Sequence, residues 1–405
     1  METSLIEGRD FIIYGLQPWD IPIGSNCKNL ASEIAKYNRV LYVNRPLDRI
    51  SMLKNRNDIQ VKNRIQSIKY GKNILNNIEG QLWVLNPRII VESINFLPQG
   101  LVYNYFNKKN NKKLAKEILW AQEKLQFKDP VLIIDDDFFN GLYLKELIMP
   151  ALFVYYIRDF LLSQLYFVRH GFRAEPMMIQ KADAIAANSK YLGNYAAKYN
   201  TNAADIGQGC DVEDFLEVPS SFPSDINHIS FPVIGYCGSL TATRLDLELI
   251  HFIASKKIDW NIVLVGPEDE SFKNSSLHQC KNIYFTGSRQ PEELPAYVHA
   301  FDVCINPQLV NQMTIGNYPR KVDEYLAAGK PVVATKTEAM EMFGEQVYLC
   351  INNEEYIEKI EKALSEAKNP EKILQRVVLA KSHTWQASVI KLYSLINKTL
   401  ATYGK

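Results

Sequence analysis

The chain has few cysteines, no long apolar run and little net charge, and each of these absences excludes a class of protein. Its 405 residues include six scattered cysteines without the Cys-x-x-Cys pairs of zinc or redox sites, which favours reduced thiols. No apolar run approaches the roughly 18 residues that a membrane-spanning helix needs. The formal net charge of +1 provides no strong field, so we expect no nucleic-acid partner.

The start of the chain lacks a basic stretch followed by an apolar run, so we expect no signal peptide and a cytoplasmic location. Two basic clusters nevertheless stand out, one within residues 54–72 and one within residues 108–116. A solvated surface is the ordinary interpretation of each cluster. Because anionic lipid headgroups attract basic residues by about 1 kcal/mol each, the alternative is peripheral contact with the inner face of the cell membrane.

Strand-like and helix-like segments alternate along almost the whole chain, which predicts an α/β fold. The apolar run at residues 131–134 predicts a buried strand, and residues 112–125 follow helical spacing. A chain of this length is long enough for two domains of ordinary size. We therefore expect two Rossmann-like doubly wound domains facing a cleft, which is the default place for a ligand.

The alternation breaks in a stretch rich in proline and serine, which predicts a linker. The predicted organisation is an N-terminal domain over residues 1–218, the linker over 219–232, a second domain over 233–384, and a C-terminal helix over 385–405. That helix is a candidate to pack back on the N-terminal domain.

Residues 319–335 form the most informative stretch of the sequence. Pro319 suits the first position of a helix, while Gly329 and Pro331 predict the end of that helix before a short buried strand. Arg320 occupies the first turn, where an acidic residue is normally favoured. A cation at that position is explained if an anion binds there.

Lys321 and Glu324 lie one helical turn apart, so they share a face of this predicted helix. The N-terminus of a helix offers unpaired N–H groups to a phosphate, and Lys321 adds a full charge. The pattern therefore suits a nucleoside diphosphate and its ribose. An ordinary salt-bridged surface helix fits the spacing equally well.

This segment resembles the C-terminal donor-binding element of GT-B glycosyltransferases, in which a P-x-K-x-x-E-Y-x-A-x-G-K-P-V pattern recurs. The matching residues are Pro319, Lys321, Glu324, Tyr325, Ala327, Gly329, Lys330, Pro331 and Val332. The resemblance implies that Lys321 contacts the donor diphosphate and that Glu324 contacts the ribose. Many relatives carry a second glutamate eight residues before the first, and Gly316 occupies that position here.

Other candidates for donor binding follow predicted strands. Gly238 and Ser239 form a turn in which backbone N–H groups could hold a phosphate, and Arg244 is a candidate counter-ion. A glycine after a strand is more often a simple turn. The resemblance raises the weight of the phosphate interpretation, because GT-B enzymes open their C-terminal domain with such a turn.

Two further pairs complete the predicted donor site. Ser288 and Arg289 lie where this family usually contacts the nucleobase, and Arg289 could stack on its face. An exposed loop arginine is the equally good alternative. Thr314 and Asn317 are small polar residues suited to hydrogen bonds with the transferred sugar.

Two acidic stretches of the N-terminal half follow predicted strands and supply candidates for the catalytic base. Asp159 is the first candidate, since its stretch resembles the V-Y-x-x-x-D segment of bacterial polysaccharide glycosyltransferases, in which an aspartate acts as base. An ion pair with Arg158 or a helix N-cap is the alternative role. Asp137 is the second candidate. An aspartate in this role would take the proton of an acceptor hydroxyl.

Residues 135–137 also fit a D-x-D metal motif. We set this interpretation aside, because the motif lies outside the predicted donor domain and because Lys321 with a helix N-terminus can offset a diphosphate without metal. The sequence thus predicts no metal and no cofactor beyond the donor substrate.

The resemblance implies a hexosyltransferase-type enzyme that moves a sugar from a UDP- or GDP-sugar to a glycan or lipid-linked acceptor. It also implies that the domain over residues 1–218 binds the acceptor and that the domain over 233–384 binds the nucleotide sugar. Similar enzymes build capsule, lipopolysaccharide or teichuronic acid. The alternatives are a nucleotide-sugar epimerase of the same fold and a non-catalytic glycan-binding or scaffold protein.

Overall fold

A computed structural model describes residues 5–21 and 24–402 of the chain. The described chain forms two compact units. The first unit runs up to Gly207 and resumes at Trp385, and the second comprises Gln208–Thr384. The outermost parts of the predicted domains, residues 1–4 and 403–405, lie outside the described residues.

The first unit is built on a largely parallel sheet with strand order β10-β9-β8-β7-β1-β2-β5-β4. Its strands are β1 (Asp10–Tyr14), β2 (Arg39–Val43), β3 (Leu47–Asp48), β4 (Leu75–Glu79), β5 (Leu82–Leu85), β6 (Ile90–Val91), β7 (Val131–Asp135), β8 (Leu152–Ile157), β9 (Ala184–Ala187) and β10 (Ala203–Asp205). Strands β3 and β6 pair separately. Strands β1, β7 and β8 are buried along their whole length, as expected for central strands with helices on both faces.

Helices connect these strands, and most follow a strand directly. They are α1 (Asn26–Ala35), α2 (Arg49–Lys54), α3 (Ile59–Tyr70), α4 (Leu101–Leu125), α5 (Leu144–Ile148), α6 (Leu165–Lys181) and α7 (Lys190–Ala197). The strand order reverses between β1 and β7. Ligands of doubly wound sheets bind outside the carboxyl ends of the strands at such a reversal.

The second unit repeats this architecture with a fully parallel sheet of order β13-β12-β11-β14-β15-β16. Its strands are β11 (Val233–Cys237), β12 (Asn261–Val265), β13 (Ile283–Gly287), β14 (Val303–Asn306), β15 (Val332–Thr335) and β16 (Val347–Cys350). Its helices are α8 (Glu213–Leu216), α9 (Leu247–Lys256), α10 (Glu270–Lys273), α11 (Leu294–Ala300), α12 (Arg320–Ala327), α13 (Asn353–Glu366) and α14 (Pro370–Ser382). Here the strand order reverses between β11 and β14, so a ligand is expected outside the carboxyl ends of these two strands.

The boundary between the units differs from the predicted linker at residues 219–232. The chain enters the second unit at Gln208, because Phe215 and Ile226 are buried in the core of that unit with Val233. A proline- and serine-rich composition marks irregular backbone, but the buried side chain of Ile226 ties this segment to the core.

The last helix, α15 (Trp385–Thr402), belongs to the first unit. Its apolar face packs with Phe11 of β1 and with helix α1 in one buried cluster, to which Leu392 contributes. The side-chain amide of Asn38 donates a hydrogen bond of 2.8 Å to the hydroxyl of Tyr393. In the described part of the chain, no helix is both long and apolar enough to cross a membrane.

We predict that Leu392→Ala destabilises the protein by about 2–5 kcal/mol, since Leu392 is 1% exposed and its truncation leaves a cavity. The matched control is Leu374→Ala on α14, where the side chain is 62% exposed, and we expect its free energy of unfolding to change little. Denaturant unfolding of both variants measures the difference. Equal losses for the two substitutions would contradict the assigned packing of α15.

Candidate active site

A cavity of about 310 Å³ lies in the second unit, beside the carboxyl end of β11. It brings together most of the residues predicted to bind a donor. Those that line it are Gly238, Arg244, Thr314, Asn317, Arg320, Lys321 and Glu324. The fold therefore assembles, at one strand edge, residues that are widely separated in the sequence.

Helix α12 supplies the cationic side of this cavity. It begins at Arg320, with Pro319 as its N-cap residue, one position later than predicted. Tyr325 fixes the helix to β11, because its hydroxyl accepts a hydrogen bond of 2.8 Å from the N–H of Cys237 and lies 3.2 Å from the carbonyl of the same residue. The N-terminus of α12 is thereby held beside the turn that follows β11.

Lys321 is positioned by an aromatic side chain of the neighbouring strand. Its ammonium group donates a hydrogen bond to the hydroxyl of Tyr236 and lies 4.2 Å from the centroid of that ring. Gly238 has a φ of +145°, and a Cβ there would lie 2.8 Å from the ammonium nitrogen. The backbone conformation favours glycine here, and the absence of a side chain leaves room for the ammonium group of Lys321.

Glu324 pairs with Arg320 across 3.1 Å, so its cationic partner is Arg320 and not Lys321. Within residues 5–21 and 24–402, no carboxylate lies within ion-pair distance of Lys321 or Arg244. The cavity therefore presents two cations without acidic partners beside one balanced pair, an arrangement that attracts an anion.

Other predicted donor residues take different positions. Thr314 is buried and its hydroxyl donates to the carbonyl of Leu309, so it shapes the loop between β14 and α12. Ser239 and Ser288 are exposed at the surface and are not among the residues lining the cavity. Asn317 is half-buried at the cavity wall.

Arg289 does not reach this cavity, because it is engaged elsewhere. Its guanidinium lies 2.5 Å from the carboxylate of Asp225, and both residues contact the hydroxyl of Tyr297. Asp225 comes from the stretch that was predicted to be a linker. This ion pair argues against stacking of Arg289 on a nucleobase.

In the first unit, Asp159 follows β8 and its side chain is 38% exposed. It lies 2.7 Å from Arg158, whose guanidinium also contacts Asp135 at 2.9 Å. The predicted ion pair with Arg158 is therefore present. A partly exposed carboxylate held in one orientation by an arginine can still accept a proton from a hydroxyl group.

Asp137 is buried and its carboxylate is saturated with hydrogen bonds. One oxygen accepts from the backbone N–H groups of Phe139 and Asn140 at 3.1 and 2.9 Å. The other accepts from the hydroxyl of Tyr14 and the side-chain amide of Asn140 at 3.0 and 2.8 Å. Since an ionised carboxylate offers about four acceptor positions, this saturation argues against Asp137 as a catalytic base.

Asp135 and Asp136 also contact the protein, Asp135 through Arg158, while one carboxylate oxygen of Asp136 has no hydrogen-bond partner among the described residues. Asp136 accepts hydrogen bonds from the backbone N–H groups of Arg158 and Asp159 at 3.2 and 3.1 Å, and burial raises its pKa well above the usual range. Among the described residues, no group of three or more histidine, cysteine or acidic side chains could hold a metal ion. The motif thus organises the ends of β7 and β8.

A second cavity, of about 550 Å³, lies in the first unit and was not predicted from the sequence. Arg45, two residues beyond β2, and Asn140, beyond β7, line it with Tyr166 and Arg169 of α6. From the sequence, the acidic residues after β7 and β8 were considered as site residues, but Arg45 was not. Its position two residues after a buried apolar strand is the signal that could have identified it.

The geometry of the second unit agrees with the comparison of sequences. Residues 231–366 match the family model described as Glycosyl transferases group 1, so this part of the chain carries a domain of that family. The predicted resemblance is confirmed over this region, which contains the cavity with Lys321 and Glu324.

The chain is similar to the "Putative teichuronic acid biosynthesis glycosyltransferase TuaH" of Bacillus subtilis (strain 168), with 32% identity over 173 residues. That match covers 40% of this chain and 42% of TuaH, less than half of the length of the relative.

Solved structures share the fold over nearly the whole chain. HepE of Anabaena, crystallised with UDP, is 16% identical with a TM-score of 0.65, covering 97% of this chain and 100% of its own. A UDP-forming α,α-trehalose-phosphate synthase of Burkholderia vietnamiensis is 8% identical with a TM-score of 0.64, covering 96% of this chain and 100% of its own. These likenesses confirm the predicted GT-B fold class of paired doubly wound α/β units.

One buried acid of the first unit makes stability depend on pH. Glu175 of α6 is 1% exposed, and burial raises its pKa to about 7 against the lowering effect of hydrogen bonds from Tyr195 and Tyr155. The folded state therefore holds a proton that the unfolded chain releases at lower pH. Stability is full below the ordinary glutamate pKa and falls as pH rises through about 7, because ionisation then has to occur in the buried site.

We predict that Glu175→Gln removes this loss, which amounts to about 3 kcal/mol at most between pH 5 and pH 8. Free energies of unfolding measured across that range for the native chain and the variant give the comparison. The exposed Glu146→Gln of α5 serves as a control that keeps the native pH dependence. A native profile retained by Glu175→Gln would show that another group is responsible.

Proposed function

We propose that this protein is a metal-independent glycosyltransferase. It transfers a sugar from a nucleoside diphosphate sugar, with UDP the first choice over GDP, to a glycan or lipid-linked acceptor in the synthesis of a bacterial surface polysaccharide. The observation that carries the proposal is the cavity at the N-terminus of α12, where Lys321 and Arg244 lack acidic partners in the described chain.

The donor side of the proposal rests on charge. Lys321, Arg244 and the first turn of α12 line the same cavity as Gly238, where a diphosphate can approach the backbone. These groups offset the negative charge that grows on the departing diphosphate, so no divalent metal is needed for that task. The structures of HepE with UDP and with UDP-glucose support UDP as the nucleotide.

Glu324 is assigned to the ribose, because its carboxylate faces the same cavity one turn beyond Lys321. Its ion pair with Arg320 holds it in place before the donor binds. When the ribose hydroxyls occupy Glu324, the guanidinium of Arg320 becomes available to a phosphate oxygen. No cofactor beyond the nucleotide sugar is required by this scheme.

The surface of the first unit favours the lipid-linked form of the acceptor. Helix α4 presents Leu101, Tyr105, Lys108 and Lys112 as exposed side chains, at spacings of four, three and four residues that place them on one face. Apolar groups beside lysines suit the interface of an anionic membrane. Peripheral attachment at the inner membrane face is therefore part of the proposal, together with a capsule-, lipopolysaccharide- or teichuronic-acid-like product.

We predict that Lys321→Met weakens UDP binding about 10- to 100-fold, the value of losing a hydrogen bond to a charged group, and abolishes hydrolysis of the UDP-sugar. Calorimetric titration with UDP, with EDTA present, measures the first effect. The control is Lys336→Met, which removes an exposed lysine of the same unit outside the cavity. Unchanged UDP affinity in Lys321→Met would contradict the donor site, and a requirement for added Mg²⁺ would contradict metal independence.

We predict that Asp159→Asn lowers the transfer rate by about 10²- to 10⁴-fold, the usual contribution of a general base, and leaves UDP affinity intact. The readout is single-turnover transfer to acceptor over a range of pH. The control is Asp129→Asn at an exposed position of the same unit, whose φ of +43° asparagine tolerates. Full activity of Asp159→Asn would remove this residue from the mechanism.

A further inference from the structure

The large cavity of the first unit has features that the proposed function does not use. Its volume of about 550 Å³ falls within the range of ligand sites, and it lies beyond the carboxyl ends of β2 and β7, near the reversal of strand order. Both criteria make it a candidate binding site of the first unit.

Two acids, Asp48 and Glu92, and two arginines, Arg45 and Arg169, line this cavity. The acids and the arginines differ in how far contacts within the protein already satisfy them. Asp48 accepts hydrogen bonds from the backbone N–H groups of Ile50 and Ser51 and from the hydroxyls of Ser51 and Ser93. Glu92 is paired with Arg49. Both acids are therefore satisfied by the protein and are poor partners for a ligand.

Glu92 also accepts a longer contact of 3.5 Å from Lys113, which adds to the neutralisation of its charge. The two arginines of the cavity differ from these acids. Arg169 donates at 2.7 Å to the backbone carbonyl of Phe96, which leaves its positive charge uncompensated. Arg45 lies 3.8 Å from Asp137, too far for a hydrogen bond, so the ion pair offsets part of its charge but leaves its N–H donors available to a ligand.

The cavity thus combines two guanidinium groups with aromatic walls. Tyr166 and Phe96 are strongly exposed at its margin and offer ring faces on which a sugar can stack. Asn140 is held rigidly by Asp137, and its neighbourhood is polar. Planar guanidinium groups bind carboxylates and phosphates through paired hydrogen bonds, which a neutral sugar cannot supply.

We infer that this cavity is a binding site for an acidic saccharide, recognised by Arg45 and Arg169 through a carboxylate or phosphate group on the sugar. If the proposed transferase function holds, this saccharide is the acceptor. The binding of an acidic saccharide in this cavity does not itself depend on that function. Charge on the sugar is then a specificity determinant of the first unit, separate from the diphosphate site of the second.

The experiment compares three sugars that differ only at C6: methyl glucoside, methyl glucuronide and methyl glucoside 6-phosphate. Saturation-transfer NMR at millimolar ligand and the full-length chain reports binding of each. We expect the two charged sugars to bind and the neutral one to bind at least tenfold more weakly. The preferred charged sugar distinguishes carboxylate from phosphate. Added salt should weaken the charged sugars selectively.

Arg45→Met and Arg169→Met should each weaken the charged sugars about 10- to 100-fold. Arg45→Lys keeps the charge but loses the paired geometry, and should fall between the native chain and Arg45→Met. The control is Arg56→Met, which removes an exposed arginine of the same unit that does not line the cavity. Circular dichroism and thermal unfolding of every variant show that the first unit is folded, and UDP affinity tests the donor site of the second unit independently.

Equal affinity for the neutral and charged sugars, absence of binding by all three, or full affinity in Arg45→Met would each overturn the inference. If the native chain binds the charged sugars but does not bind UDP, that result would contradict the proposed function and would still support this saccharide site.

Discussion

Parallel strands buried on both faces impose the constraint on which the chemistry of this protein depends. Charged side chains are excluded from the interior of β1, β7, β8 and β11 and can appear only where a strand ends. All carboxyl ends of a parallel sheet meet at one edge, so polar groups that follow different strands become neighbours. Arg45, Asp135 and Gly238 each occupy such a position.

The second unit uses this edge to hold a cation ready for an anion. Tyr236 at the end of β11 receives the ammonium group of Lys321, and Tyr325 ties the helix that carries Lys321 to the same strand. Aromatic hydroxyls thus hold the lysine without neutralising it, whereas a carboxylate would have done so. The cost of orienting the side chain is met during folding rather than during binding.

The sequence predicted local elements better than distant pairings. The pattern from Pro319 to Pro331 located α12 and the side of one cavity that this helix forms, because helix signals and strand ends are local properties. Helix α4 was predicted to begin at residue 112 and begins at Leu101. Its asparagines are poor helix formers, but Asn111 donates at 3.0 Å to the carbonyl of Phe139, a tertiary contact that no local pattern reveals.

The same limit applies to the candidate sites. The pairing of Arg289 with Asp225 and the saturation of Asp137 by Tyr14 join residues far apart in the chain, so the sequence could suggest a role for each but not its partner. Arg45 belongs to no sequence motif, and its place in the wall of a cavity is a property of the folded structure alone.

The return of α15 to the first unit has a topological consequence. Because the first unit contains residues from both sides of Gln208–Thr384, the second unit is an insertion within the first. A ribosome would complete the inserted unit before the enclosing one could close its core. Excision of Gln208–Thr384 with a short bridge from Gly207 to Trp385 is therefore the natural route to an isolated first unit, whereas a simple C-terminal cut would damage it.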